Sequence, residues 1–581
     1  MNRQIRAAGF VGLLLALGWS APRLTAQIAK PPAGVPTFTA EAVMAHVRVL
    51  ASDEYEGRAP GTKGEDLTVA YIADQFRKVG LQPGNPDGTY VQKVPMVGML
   101  TDPATSLSFR KGSVTQTLAY KDDVVAWTKR VEPRVSIDAS DVVFVGYGVQ
   151  APEYQWDDYK GVDLAGKTVI MLINDPPVPD PADASRLDPK TFGGRAMTYY
   201  GRWTYKYEMG AERKAAAVFI VHETGPAAYP FSVVQSKVTE QFDLVTADQN
   251  RSRAAIEGWI TLDQAKKLFA LAGQDFDSLK ARAATRAFTP VPMGVTASMT
   301  VQSRIRTFDS RNVIGILPGS DPALKHEYVV YAGHWDHYGI GPEINGDKIY
   351  NGALDNATGI GAMIEVARAF AAQPVAPKRS LVFLAVTAEE QGLLGSDYYA
   401  RHPIYPLNRT LAAVNMDGLN IYGRTKDLTV VGLGASDLDD YAADAAAAQG
   451  RVLRADPKPE NGGYFRSDHF PFAKQGVPAI NAGGGDDYIG RPAGWGQQVQ
   501  DAYTAQHYHK PSDEIRPDWD LSGALEDMQI YYAVGARAAS TSAWPQWKPG
   551  SEFKARRDRM MGKGSSQKTE DRRQKTVDSR Q

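Results

Sequence analysis

Between Tyr328 and Gln391 three polar signals each fall at the end or edge of an apolar run, and this arrangement limits the fold more than any other stretch. They read YVVYAGHWDHYG, NGALDNATG and LVFLAVTAEEQG, with a helical segment over Gly359–Ala372 between two of them. Strand-like runs alternating with helical ones predict an α/β fold, a mixed, mostly parallel central sheet flanked by helices. Open sheets of this kind build their sites just beyond the carboxyl ends of the strands. His334, Asp336, Asp355, Glu389 and Glu390 all fall there.

Further runs extend the same sheet: RNVIGILPG before it, LAAVNMDG and DLTVVGLG after it. A helix follows from Asp437, with Ser436 placed to cap it. Upstream, TAEAVMAHVRVLAS offers Thr39 as N-cap to an amphipathic helix. A second helix, Glu65 to Val79, presents Val69, Ile72, Phe76 and Val79 on one face and stops at Gly80. From about Ser106 to Met299 the pattern turns to short β-like runs (Val142–Val145, Val169–Ile173, Val218–Val221) with the helix TLDQAKKLFALAG among them. That block holds one histidine, His222, and no carboxylate cluster with metal spacing, so it reads as an inserted β-rich accessory domain.

A chain of 581 residues is too long for one ordinary domain, and roughly 150 residues per domain gives two to four. The expected division is 1–26 leader, 27–105 first part of the site-bearing domain, 106–304 insertion, 305–546 site-bearing domain and 547–581 a basic tail without structure. The start, MNRQIRAAGFVGLLLALGWSAPRLTAQ, has a basic end, an apolar stretch from Ala7 to Trp19 and then small residues. It is short for a bilayer span of roughly 20 residues and reads as a signal peptide, cleaved after Ala26 or Ala21, with no stable membrane insertion once removed. Without cysteine there is no disulfide and no thiolate, so any metal must be held by imidazole and carboxylate. Export without disulfides points to a bacterial periplasm or the extracellular medium. A net charge of -1 gives no electrostatic reason for nucleic acid binding.

His334 and Asp336 lie two apart at the end of YVVYA and in extended chain face one side of the sheet. One can bind a metal while the other fixes the imidazole tautomer, or both can bind. His337 points the other way and reads as a packing neighbour. Asp355, in a Gly-rich approach to a helix, can bridge two cations or simply cap a turn. Glu389 and Glu390 would face opposite ways within a strand, so both reach one site only past its end. There one can ligate and the other accept a proton. Asp417 ends another apolar run, and His507 and His509 cluster in AYTAQHYHKPSDE.

GHWDHYG, NGALDNATG, TAEEQGLLGS, NMDG and HYHKPSDE, in this order, resemble the zinc aminopeptidase, transferrin-receptor and glutamate carboxypeptidase family. The likeness covers about 38–105, including LASDEYEGRAPGT, and about 305–545, including RSDHFPFAKQGVPAI. DVVFVGYGV opens a block similar to the protease-associated domain of some members. The resemblance implies two zinc ions sharing Asp355, one completed by His334 and Asp417, the other by Glu390 and His509. It implies Glu389 as general base and Asp336 as the residue that orients His334. The family motif matches His509 rather than His507. An aminopeptidase acting on peptides is the expected activity, with a carboxypeptidase or dipeptidase on the same metal core, or a receptor-like binding protein, as alternatives. Arg58, Arg466 and Asp468 are candidates for the substrate's ends, and Tyr464, Phe465, Trp495 and Tyr503 for a side-chain pocket or small local cores.

Overall fold

The computed structural model describes residues 35–102, 106–235 and 240–562. The expected signal peptide and the end of the basic tail lie outside the described residues.

Strand Tyr328–His334 forms the centre of the main sheet, parallel to Ser380–Val386 on one side and to Thr410–Asn415 on the other. Ala479–Gly483 continues in parallel beyond Thr410–Asn415. The edges turn antiparallel: Asp427–Val431 against Ala479–Gly483, and the end of Val291–Leu317 against Ser380–Val386. The sheet is therefore mixed, parallel through the centre that carries the site.

Alternation along each central strand sorts its side chains between two layers, as the two-residue period of a strand requires. Val329 and Tyr331, with Leu381, Phe383 and Ala385, pack under helices Ala40–Leu50, Gly359–Ala371 and Ser522–Ser540. Val330 and Ala332, with Val382, Leu384 and Val386, pack against Leu394–Arg401 and His469–Lys474 on the opposite face. Both faces being covered explains why these strands read as unbroken apolar runs. The caps follow the local rules: Ser436 and Asp439 form a capping box on Asp437–Ala448, and the Thr39 side chain accepts from the Ala42 N–H at 3.3 Å.

The block expected as an insertion carries a sheet in which Arg134–Phe144, Thr168–Leu172, Ala217–His222 and Ile256–Thr261 run parallel in that order. Helices Trp203–Glu212, Leu262–Ala272 and Phe276–Ala283 accompany it, so it is richer in helix than its sequence pattern implied. Strand Val291–Leu317, 27 residues long, belongs to both sheets, pairing with Ser106–Lys111 early and with Val91–Thr101 and Ser380–Val386 later. The described residues 547–562 depart from the expectation of a tail without structure. Trp547 and Phe553 are buried, and helix Lys554–Met560 lays Arg557 against the carbonyls of Leu407 and Thr410 at 3.1 and 2.9 Å. A few aromatic anchors order this stretch although it has no apolar period.

Candidate metal centre

His334, Asp417, Glu389 and Glu390 sit where a strand has just ended. His334 is the last residue of its strand, Asp417 lies two residues past Asn415, and Glu389 and Glu390 follow Val386 across a turn in which Ala388 takes φ 54°. Asp355 precedes helix Gly359–Ala371, and His509, at φ 58°, follows helix Trp495–Gln506. The Glu389 and Glu390 backbone N–H groups both donate to the Asp336 carboxylate, at 3.1 and 3.4 Å. That turn lets two adjacent carboxylates reach one site.

The donors gather in two groups that share Asp355. His334 Nε2 lies 3.3 Å from Asp355 Oδ1 and 3.3 Å from Asp417 Oδ1. His509 Nε2 lies 3.3 Å from Asp355 Oδ2 and 3.1 Å from Glu390 Oε2. Each oxygen of one carboxylate thus faces a different imidazole. The His334 tautomer follows from its other nitrogen, which contacts the Asp336 carbonyl oxygen at 3.2 Å. A carbonyl only accepts, so Nδ1 carries a proton, and Nε2, facing two carboxylate oxygens, holds either a second proton or a lone pair turned to a cation. His509 Nδ1 pairs with the Tyr338 hydroxyl at 3.0 Å, and its Nε2 has no hydrogen-bond partner. Ring nitrogens this close to several carboxylate oxygens need a positive charge between them, either a proton or a metal ion in its place. The residues present therefore fit a cation in each group.

The charges point the same way. Burial works to lower His509, but the Glu390 and Asp355 carboxylates outweigh it and push it up to about 10. Burial and the Asp355 charge work to raise Glu390, yet His509 and His337 hold it down at about 2. Asp355 is held well below the usual carboxylate range, its burial offset by His334 and His509. Glu389 differs: burial, reinforced by Glu390, Asp417 and Asp468, raises it well above that range although His334 opposes. Its carboxylate has no hydrogen-bond or ion-pair partner among the described residues.

Several residues to which the sequence pattern gave no such role hold the groups in place. Asn356 donates from Nδ2 to the carbonyls of His334 and Met416, both at 3.1 Å, and accepts at Oδ1 from Gly359 and Gly418. It ties three ligand-bearing loops together. The buried Asp513 carboxylate accepts from the Leu354 and Asp355 N–H groups at 3.2 and 3.1 Å, and the Ser467 hydroxyl donates to Asp417. Gly352, at φ 56°, leaves no space for a side chain: a Cβ there would lie 2.4 Å from the Asp355 carbonyl and 2.6 Å from the His337 ring.

The candidates for the substrate's ends separate. The Arg58 side chain is buried and donates to the carbonyls of Trp335, Leu50, Asn351 and Gly352. It clamps the His334 and Asp355 loops and meets no substrate. Asp468, also buried, accepts from Ser396 at 2.6 Å, while Arg466 is exposed. Phe465 packs with Tyr464, Phe470 and Tyr199, and Trp495 with Tyr488 and Tyr422, so these are local cores. His507 Nδ1 bonds the Ser512 carbonyl at 3.0 Å, away from the donor groups. His337 is the correction. The strand ends at His334, so alternation no longer applies at position 337, and its Nδ1 lies 2.6 Å from Glu390 Oε1.

Residues 312–533, which carry all these donors, match the model of Peptidase family M28. The chain carries a Peptidase family M28 domain. The chain is 24% identical over 505 residues to a protein named probable leucine aminopeptidase 2 from Aspergillus oryzae, covering 84% of this chain and 82% of that one. It is 28% identical over 232 residues to aminopeptidase YwaD of Bacillus subtilis, covering 39% of this chain and 45% of that one. Among solved structures, an aminopeptidase from Aneurinibacillus sp. strain AM-1 is similar, with a TM-score of 0.48 and 20% identity over 88% of this chain and 96% of that one. Arg58 lies ahead of the M28 match. No helix among the described residues is long and apolar enough to cross a membrane.

Proposed function

We propose that this chain is an exported di-zinc aminopeptidase that removes N-terminal residues from peptides. The observation that carries the reading is the division of Asp355, one oxygen facing His334 and the other facing His509, with Glu389 unpaired beside them. Asp355, His334 and Asp417 would hold one cation, and Asp355, Glu390 and His509 the other. Two divalent ions against three carboxylates leave net positive charge, and such ions polarise a carbonyl and acidify water.

The chain's own residues then divide the work. Glu389, adjacent in sequence to a ligand but not needed as one, takes a proton from the attacking water and returns it to the leaving amine. Its burial and acidic neighbours raise its proton affinity, which suits a group that must accept a proton and then release it. The Asp336 carboxylate fixes the Glu389 and Glu390 main chain, and its carbonyl sets the His334 tautomer. A purely structural metal site has no use for an unpaired carboxylate, which argues against a receptor-like role. The aminopeptidase names of the relatives and the N-terminal signal-like segment support the choice of substrate end and the export.

The test is to count metal and to measure hydrolysis of aminoacyl anilides and short peptides with free and with blocked termini. Two zinc ions per chain, with cleavage only of compounds bearing a free amine, are expected. Cleavage confined to free C-termini would make it a carboxypeptidase, and metal without hydrolysis would make it a binding protein.

A further inference from the structure

His337 is a residue that neither strand alternation nor the family ligand pattern assigns. Its side chain is 0% exposed, and neither ring nitrogen has a hydrogen-bond partner. Nδ1 lies 2.6 Å from Glu390 Oε1, which also lacks a hydrogen-bond partner, so the contact is close but not aligned as a hydrogen bond. One donor atom each from His337, Asp355 and Glu390 lie within 4.8 Å of one another. Glu390 is therefore straddled by two imidazoles, His337 at Oε1 and His509 at Oε2, whose rings meet edge to face with centroids 5.9 Å apart.

The ring is also held firmly. Gly352 presses on it from one side, the Tyr338 ring stands against it at 5.2 Å, and the His337 N–H reaches the Arg58 carbonyl at 3.4 Å. A buried imidazole beside a buried carboxylate, neither aligned to the other as a hydrogen bond and both without another partner, leaves a donor atom of each free for a shared third partner such as a cation.

We propose that His337 is a fourth protein ligand of the cation held by Asp355, Glu390 and His509. This rests on the paired-cation reading above. The second donor set then has two imidazoles and two carboxylates, while the first, with His334, has one imidazole and two carboxylates. The added neutral donor leaves the charge balance unchanged but makes the second set richer in nitrogen, which favours zinc, cobalt or nickel over magnesium or manganese. The second site should fill first and empty last.

Two variants give opposite results for a ligand and for a hydrogen-bonding neighbour. His337→Gln keeps a neutral donor beside Glu390 but is a poor ligand. His337→Asp can bind metal but cannot donate, and it sets a like charge against Glu390. Full-length metal-free protein is titrated with Co2+ in buffered free-ion solutions, bound cobalt is counted, and the visible spectrum is recorded. Occupancy of the His334 set reports that each variant is folded. Wild type is expected to take two ions. His337→Gln should raise the free Co2+ that half-fills one site by about tenfold or more, with a changed spectrum, and His337→Asp should restore much of the loss. Equal binding by wild type and His337→Gln, with weaker binding by His337→Asp, would overturn the proposal while leaving the paired-cation reading intact. A wild type that cannot take two ions would defeat that reading and this proposal with it.

Discussion

At the scale of single residues, the proposal gives the two neighbouring glutamates separate tasks, and substitution should separate them. Glu389→Gln should keep both cations and lower turnover by about 100- to 10,000-fold, the usual share of a general base. Metal analysis beside steady-state kinetics checks this, and wild-type turnover would remove Glu389 from its role. Asp355→Ala should empty both sites, whereas Asp417→Ala should empty only one, because only Asp355 faces both imidazoles. Most of this donor set was legible in the sequence. His334, Asp417, Glu389 and Glu390 announce themselves as polar residues at the ends of apolar runs, and the structure brings them together with Asp355 and His509. His337 was not legible, since the two-residue period that aimed it away from the site stops at the strand's last residue. The roles of Asn356, Asp513 and Ser467 were not legible for another reason: they act through main-chain and side-chain hydrogen bonds between loops that are distant in sequence.

At the scale of elements, the loops carrying the donors are held by buried polar groups more than by apolar contact. Arg58 gathers four carbonyls from three segments, and removing it leaves them without partners. Arg58→Ala should cost about 3 kcal/mol or more, each orphaned buried carbonyl contributing on the order of 1 kcal/mol. Arg58→Lys should recover little, because an ammonium cannot span the same fork. Urea unfolding of both variants tests this. The helices under the site meet through His46 and Glu365, 3.0 Å apart and buried. Burial works to raise Glu365, but His46 and Arg368 outweigh it and hold the carboxyl below its ordinary value. A depressed folded-state value stabilises the fold at pH above the unfolded value of about 4.3 and is lost as pH falls through the folded one. The stability difference between wild type and Glu365→Gln should therefore shrink toward zero on acidification below about pH 4. Loss of the difference on raising the pH would contradict the assignment. These strands and helices were readable from apolar periodicity and caps. The 27-residue strand shared by two sheets was not, since nothing local marks where it passes from one sheet to the other.

At the scale of the molecule, the insertion touches the loop that supports Asp417. Tyr199 of the insertion packs on Phe465 and Phe470, and Lys474 reaches both Tyr199 and Glu208. Phe465 stands two residues before Ser467, whose hydroxyl holds Asp417. Tyr199→Ala should accordingly leave metal content unchanged and lower kcat/KM, by up to about 100-fold if the loop shifts by an ångström. Unchanged kinetics would make the insertion a bystander to catalysis. The central claim is that one carboxylate, Asp355, is divided between two cations. Crystals grown with zinc and measured for anomalous scattering at the zinc edge test it most directly. The account predicts two peaks, one beside Asp355 Oδ1 with His334 and Asp417, the other beside Oδ2 with Glu390 and His509. A single peak, or a pair that leaves Asp355 unshared, would contradict it.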